Sequence, residues 1–480
     1  MTEVSVPSSR RIAIIRILDV LLQAGLMALV AVTALAYFPF FSDYMIPKFA
    51  AVHGLGGGLV AVWLVRAALA GRMDLPRSPV LLPMALFTGI SLLSLLSAVN
   101  RAAGVELLLT QVGWFLLYLV AASGLPGPRA VLRLAWVMVA AGVVVAVLGV
   151  LQYAGVHLIP LPKIYGDLPV STLGNTNFVA HYLDLVIPLV AGLLLATRGR
   201  VLRLLLGLAL AVTGAHLVVT QNRGGWIALS VALVVSLVRW RRRLPWRRVL
   251  LLALVAAALL SPLVELVLTS VRTSGGDTLR DRAGSLVGRS WDRLVSSLDT
   301  SEFSVAQRRL IWADTVDLIA DHPWLGVGPG NYEHHLPAYR TVTRHRQWQE
   351  IMGERTQVAY QAHDEYLETA AETGILGLGA FLWLLAALIW QTHRLTTVGP
   401  AGAVPTTALT EGCLAGLVAS VVHALFSFNL QDPSSATHLW LLAGMAVALN
   451  RQPPVAEQED AEGSAEPRRY WRLAAPAAGV

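Results

Sequence analysis

The sequence predicts an all-α polytopic membrane protein of about 12 transmembrane helices, with a large, mostly helical loop between helices 9 and 10. Of its 480 residues 55% are hydrophobic and only 14% are charged, whereas a soluble domain carries about 25% charged residues. Apolar runs of roughly 20 residues, each long enough to cross a bilayer as a helix, recur from one end to the other. A third observation is that Lys and Arg are concentrated in alternate loops.

The hydropathy pattern defines the individual spans and four regions of the chain. The N-terminus is basic and then apolar without a small-residue cleavage site, so we interpret it as a retained first span. The predicted spans are 17–38, 47–65, 79–98, 104–122, 131–153, 178–196, 202–220, 225–238, 249–269, 364–390, 408–428 and 436–450. They predict nine helices in 1–269, an outer loop domain in 270–362, three helices in 363–450 and a disordered cytoplasmic tail in 451–480.

The distribution of basic residues predicts the orientation. Alternate loops on one side hold 22 Lys and Arg, and the short loops on the other side hold 4. The positive-inside rule therefore puts both termini in the cytoplasm and segment 270–362 outside. The net charge of +7 reports this topology and not nucleic-acid binding. With 1 Cys, the chain forms no intramolecular disulfide and no Cys-rich metal site.

The outer segment contains an Arg pair and a glycine-rich turn. Arg308 and Arg309 begin a predicted helix, and Trp312 follows Arg308 by four residues on the same face. A guanidinium at this position can bind phosphate oxygens in a bidentate geometry, although a solvated basic face is the simpler reading. The sequence GVGPGNY follows and ends at Tyr332, and its glycines allow a close approach of the backbone.

A polar segment continues directly into an apolar helix at His363. The positive end of a helix dipole disfavours imidazolium, so the ring is predicted to be neutral and able to accept a proton from a hydroxyl. The alternative is a histidine that only caps the helix. Asp364 and Glu365 suit a helix start, whereas Glu372 lies deeper, where an ionisable group in a span indicates function.

Two more outer positions carry polar groups at span ends. Arg223, in TQNRGGW, is flanked by glycines, and a lone arginine reaching the lipid headgroups is the alternative reading. Asn175, Asn177 and His181 begin another outward-starting span, in which Asp184 is a second intramembrane carboxylate. The spacing that a zinc site needs is missing. No phosphate-binding loop of the Walker type and no GxSxG motif occurs.

Four motifs together resemble the O-antigen ligase family, which includes lipid A-core O-antigen ligases, O-antigen polymerases and O-linking protein oligosaccharyltransferases. They are LGNTNFVAHYL, TQNRGGW, RRLIWADTVDLIADHPWLGVGPGNY and AHDEYLETAAETGILGL, and the resemblance spans about 170 to 430. By motif, His363 matches the essential histidine of the family, and Arg223 and Arg308 match its arginines. Arg309 stands where an aliphatic residue is more usual, and Asp364 replaces the common Asn.

The resemblance implies a GT-C-like, metal-independent and inverting glycosyltransferase of the bacterial inner membrane. The implied donor is a glycan on undecaprenyl diphosphate, the implied acceptor is lipid A-core or another glycan, and the active site is periplasmic. No cofactor and no nucleic acid is expected. A polysaccharide polymerase, a protein oligosaccharyltransferase and a secondary transporter remain alternatives. The expected catalytic residues are His363, Arg308 and Arg223, and the expected substrate-binding residues are Arg309, Asn175, Asn177, His181, Tyr332, Asp364, Tyr366 and Glu372.

Overall fold

The structure is a computed structural model that describes residues 9–38, 43–73, 75–160, 168–240, 303–352, 359–398 and 404–450. Within these ranges every regular element is helical. The α-helices are α1 (Ser9–Leu35), α2 (Ile46–Ala51), α3 (Gly57–Ala70), α4 (Leu81–Ser94), α5 (Arg101–Gly124), α6 (Pro128–Tyr153), α7 (Thr176–Ala196), α8 (Arg200–Val219), α9 (Arg223–Trp240), α10 (Phe303–Asp321), α11 (Tyr332–His335), α12 (Val342–Met352), α13 (Glu365–Val398), α14 (Val404–His423) and α15 (Pro433–Leu449). A π-helical turn, Val52–Gly56, joins α2 to α3.

The chain is a multi-pass membrane protein. Seven helical segments in the described ranges are long and apolar enough to cross a membrane, which are Ser9–Leu35, Ile46–Ala70, Arg101–Gly124, Pro128–Tyr153, Thr176–Ala196, Arg200–Val219 and Glu365–Thr397. Helix α4 is apolar but has only 14 residues, about 21 Å of helix against a hydrocarbon core of about 30 Å. The predicted count of twelve is therefore not confirmed. The ninth predicted span, 249–269, the predicted tail, 451–480, and residues 270–302 and 353–358 of the predicted outer loop domain lie outside the described residues.

Helix α7 lies at the centre of the bundle and packs closely against α14. A Cβ atom at Gly192 would lie 2.8 Å from the carbonyl oxygen of Ala408, and one at Gly412 would lie 2.7 Å from that of Pro188. Small residues let two helix backbones approach in this way, which is how helices associate in lipid. All of α15 is buried beside them. These two helices bring the start of α7 and the end of α14 to the same end of the bundle.

Basic side chains mark the other end of the bundle. Arg66 of α3 pairs with Asp19 of α1, and Arg239 near the end of α9 binds Glu411 near the start of α14 at 2.8 Å. The polar turns between α8 and α9 and between α14 and α15 lie at the opposite end. The structure thus separates an arginine-rich end from the end that holds the residues discussed below.

The described outer segment forms a small core of its own on top of the bundle. Ile311, Tyr332, Trp348 and other apolar side chains are buried together, and Asp314 of α10 binds both Arg340, at 3.0 Å, and an arginine of α12. This cluster fixes α10 relative to the polypeptide that leads into α13.

The glycine-rich turn after α10 is wedged against α13. The backbone N–H of residue 327 donates to the carbonyl oxygen of Ala371 at 3.0 Å. Cβ atoms at Gly326 and Gly374, both with positive φ, would overlap the facing backbone at 2.3 and 2.2 Å. Only glycine permits both the dihedral angle and the contact. The glycines therefore serve a backbone crossing at a kink of α13.

Candidate active site

His363 is held in an unusual backbone conformation at the start of α13. Its φ is +53°, a left-handed value that costs energy in a residue with a side chain and that recurs at functional sites. Asp364 fixes the start of the helix, because its Oδ1 accepts from the backbone N–H groups of Tyr366, at 2.9 Å, and Leu367, at 3.0 Å. The backbone N–H of Glu365 donates to carbonyl oxygens at the end of α14. These contacts fix the backbone on which the His363 ring stands and bond the start of α13 to the chain at the end of α14.

The ring of His363 is half-buried against aromatic neighbours. Its centroid lies 5.6 Å from that of Phe428, which packs edge-on against Phe178 at 5.7 Å. Its Nδ1 is buried and makes no hydrogen bond to any described residue. A ring in this setting is placed by packing and not by a hydrogen-bonded partner.

Arg308 lies beside His363. One turn after it, Trp312 donates from Nε1 to the carbonyl oxygen of Ala362 at 2.9 Å, so α10 is bonded to the residue before the histidine. The Arg308 guanidinium is half-buried and interacts electrostatically with His363 and with Asp364. The structure therefore brings together two predicted site residues that are 55 positions apart in the sequence.

Burial, and after it the Arg308 guanidinium, lowers the pKa of His363 from 6.5 to about 4. Both causes disfavour imidazolium. A histidine with this pKa is neutral at physiological pH and can accept a proton from a hydroxyl. The pKa of Asp364 is raised by burial, and its two backbone hydrogen bonds and Arg308 act against that rise.

The turn that carries Arg223 docks on α7 and α14. Asn222 donates from Nδ2 to Oδ1 of Asn177 at 2.6 Å, which ties the turn to the beginning of α7. A Cβ atom at Gly225 would lie 3.1 Å from the Cβ of Ala180, and one at Gly224 would lie 2.9 Å from Nε2 of His423. Arg223 is half-buried at the first position of α9. Its glycine neighbours serve close docking of the turn.

A buried histidine pair connects the Arg223 turn to the His363 region. His181 is fully buried, and its ring stands edge-on to that of His423 with 4.3 Å between centroids. Arg308 interacts electrostatically with both rings, and His363 with His181. Three imidazoles from three different segments thus interact electrostatically with one guanidinium.

The acidic residues of α13 bind backbone amides. Glu368 accepts from the N–H of Ala362 at 2.8 Å, and Glu372 accepts from that of Tyr332 at 3.3 Å. Glu365 accepts from the N–H of Leu430 at 3.1 Å. These buried carboxylates hold the segments before and around the site, so the position of Glu372 within a span has a structural explanation.

Most of the remaining predicted site residues make hydrogen bonds within the protein. Asn175 caps α7 by accepting from the backbone N–H of Asn177 at 2.8 Å. The Tyr332 hydroxyl is buried against Thr315 at 2.6 Å, and the Tyr366 hydroxyl donates to the carbonyl oxygen of Val421 at 2.7 Å. Arg309 is exposed. Their predicted contacts with substrate stay predictions.

Sequence reasoning missed the turn between α14 and α15. It supplies Phe428 next to His363, and Gln431, whose Nε2 donates to Glu368 at 3.0 Å. It also missed His423. A polar stretch ending in Asp-Pro after a predicted span was the available signal, because such a stretch marks a structured turn at the membrane face.

An apolar groove of about 640 Å³ lies between α6 and α8. Trp136, Val150, Ala209 and Val219 are among the residues that line it. Val219, one of its lining residues, precedes Arg223 by four positions in the sequence. Within the part of the chain that the structure describes, no group of three or more His, Cys, Asp or Glu side chains could hold a metal ion.

A comparison with protein families matches residues 206–382 to a family described as O-antigen ligase. This segment is similar to the O-antigen ligase family. It begins within α8, ends within α13 and includes Arg223, Arg308 and His363. The family indicates a membrane glycosyltransferase of the O-antigen ligase or polymerase type. Asn175, His181 and His423 lie outside the matched O-antigen ligase segment. A comparison with curated proteins gives no match.

Proposed function

We propose that this protein belongs to the O-antigen ligase family and transfers a glycan from undecaprenyl diphosphate to an acceptor hydroxyl at the periplasmic face, with lipid A-core as the acceptor. The observation that carries the proposal is the electrostatic interaction of the Arg308 guanidinium with His363. Burial and this guanidinium lower the pKa of His363 to about 4. A fixed cation and a neutral base are what displacement of a diphosphate by a hydroxyl requires.

The chemical step is a single displacement. The acceptor oxygen forms a bond to the anomeric carbon while the bond from that carbon to the diphosphate oxygen breaks, and the configuration inverts. The diphosphate leaves with the electron pair, and His363 takes the proton of the hydroxyl. Arg308 and Arg223 bind the leaving phosphates, and each fixed donor contributes a few kcal/mol to transition-state stabilisation. The two guanidinium groups supply the positive charge, so the proposed reaction uses no divalent ion.

The direction of the bundle supports a periplasmic site. The arginine-rich end, which includes Arg66 and Arg239, is assigned to the cytoplasm by the positive-inside rule. His363 and the Arg223 turn lie at the other end. An isoprenoid chain needs an apolar surface that reaches the phosphate site, and the groove between α6 and α8 offers one whose end lies close in sequence to Arg223.

Purified protein in nanodiscs, incubated with labelled donor and lipid A-core, a second donor molecule or a protein acceptor, tests the proposal. Labelled lipid A-core is the expected product, and His363→Ala abolishes it. Extension of the second donor would identify a polymerase, and a labelled protein would identify a protein glycosyltransferase. If no acceptor is labelled in nanodiscs, and in proteoliposomes the protein only moves the lipid-linked glycan across the membrane, the protein is a transporter and the proposal is wrong.

A further inference from the structure

The buried pair formed by Asp184 and His423 has no role in the step described above. Asp184 lies in α7 and His423 at the end of α14, 239 positions apart, yet Oδ2 of the aspartate is 2.6 Å from Nδ1 of the histidine. Their side chains are 0% and 1% exposed. A carboxylate removed from water in this way needs a specific partner, and His423 is that partner.

His423 is confined on every described side. Asp184 holds its Nδ1, and the edge-on His181 ring lies 4.3 Å from its own ring. The opposite edge faces the Arg223 turn, where a Cβ atom at Gly224 would lie 2.9 Å from Nε2. The histidine therefore transmits the position of α7 to the backbone that begins α9.

The same ring also lies within the electrostatic reach of Arg308. His423 thus contacts the turn of one arginine assigned to the donor phosphates and interacts electrostatically with the other. A ring that is fixed here sets how far apart the two guanidinium groups stand, and bidentate phosphate binding depends on that separation.

We propose that Asp184 and His423 are positioning residues, which hold the Arg223 turn in the place where its guanidinium binds the donor diphosphate. This inference rests on the proposed function, because it assigns Arg223 to the donor. It adds a buried support from α7 and α14, one helix of which precedes the family match and the other of which follows it.

Equilibrium binding of radiolabelled undecaprenyl diphosphate to the full chain in nanodiscs tests the inference by a double-mutant cycle. Arg223→Ala and His423→Ala are each expected to weaken binding about tenfold, while the double variant binds within about twofold of Arg223→Ala. A residue that only stabilises the fold would weaken both backgrounds by the same factor. Such additivity, or unchanged binding by His423→Ala, overturns the proposal.

Asp184 supplies a second test for the case in which His423→Ala does not fold. Asp184→Asn keeps an acceptor for Nδ1–H and is expected to bind within about threefold of wild type, whereas Asp184→Leu, of similar size, weakens binding about tenfold. Equal binding by both variants overturns the proposal. Gly207→Ala is the matched control, because a Cβ atom there meets nothing within 4 Å.

The binding measurements distinguish a wrong assignment of Arg223 to the donor from a wrong positioning role of Asp184 and His423. If wild-type protein does not bind undecaprenyl diphosphate, or if Arg223→Ala binds it as well as wild type does, the assignment of Arg223 to the donor is wrong. If Arg223→Ala weakens binding and His423→Ala does not, the donor site stands and only the positioning role of the buried pair is wrong.

Discussion

Substitution of Arg308 by Gln should move the acid limb of the pH–rate profile upward. The pKa of His363 is lowered from 6.5 to about 4, first by burial and second by the Arg308 guanidinium. Because burial is the larger cause, loss of the guanidinium restores less than half of that difference. The pKa of His363 should then rise from about 4 but stay below 6.5. The acid limb moves upward because only the neutral imidazole accepts the proton, and a ring with a higher pKa becomes neutral at a higher pH.

The assay is kcat/KM for the donor between about pH 3.5 and 8, because kcat/KM reports the pKa values of the free enzyme. The wild-type rate should fall as the pH drops through about 4, and the Arg308→Gln rate should fall at a higher pH, whatever its overall size. Arg346→Gln is the control, since this arginine is exposed on α12 and should leave the midpoint unchanged. A wild-type midpoint near 6.5, or one that Arg308→Gln does not move, would refute the reasoning.

Three further substitutions test the supports of the site. Trp312→Phe removes the hydrogen bond between α10 and Ala362, the residue before the histidine, so kcat should fall about fivefold for a loss of about 1 kcal/mol. Trp348→Phe, a change in the same core, should leave kcat unchanged. Equal effects of the two substitutions would contradict this prediction. Ala209→Trp fills the apolar groove and should raise the donor KM, whereas Leu204→Trp, on the exposed side of α8, should not. Glu368→Ala leaves a buried backbone N–H without its acceptor and should lower the free energy of unfolding by about 1–3 kcal/mol; an unchanged Tm would disprove it.

The proximity of Arg308 and His363 was expected from the resemblance of their motifs to one family, and the positions of the two helix starts are compatible with it. A capped helix that begins with arginines and an apolar helix that begins after a histidine both present their N-terminal turns to the outer face. The two residues are 55 positions apart, so a shared outer face permits their contact without determining it. The structure brings Arg308 and His363 together accordingly, with α10 bonded to Ala362.

The support beneath the site was not predictable in the same way. Hydropathy shows where the chain meets lipid, but lipid and leucine are equally apolar, so the pattern does not indicate which helices are neighbours. The pairing of Asp184 with His423 depends on the close contact of α7 with α14. The predicted role of Glu372 in substrate binding stays a prediction, but its contact with the N–H of Tyr332, a partner distant in sequence, could not be inferred from hydropathy.

The glycine-rich turn is an intermediate case. Its glycines correctly indicated a close approach of backbone, but the partner could not be inferred. Gly326 meets the backbone of α13, and Gly328 would place a Cβ atom 2.6 Å from that of Ala98. The turn thus contacts both α13 and the segment between α4 and α5.

The most direct measurement is single-turnover transfer by His363→Gln that has been loaded with labelled donor. The account predicts that this variant binds the donor as wild type does, because the arginines hold the phosphates. Transfer to the acceptor should be slowed by about 10²-fold or more, as loss of a general base entails. Transfer at the wild-type rate from the loaded variant would contradict the claim that a neutral His363 beside Arg308 takes the proton of the acceptor.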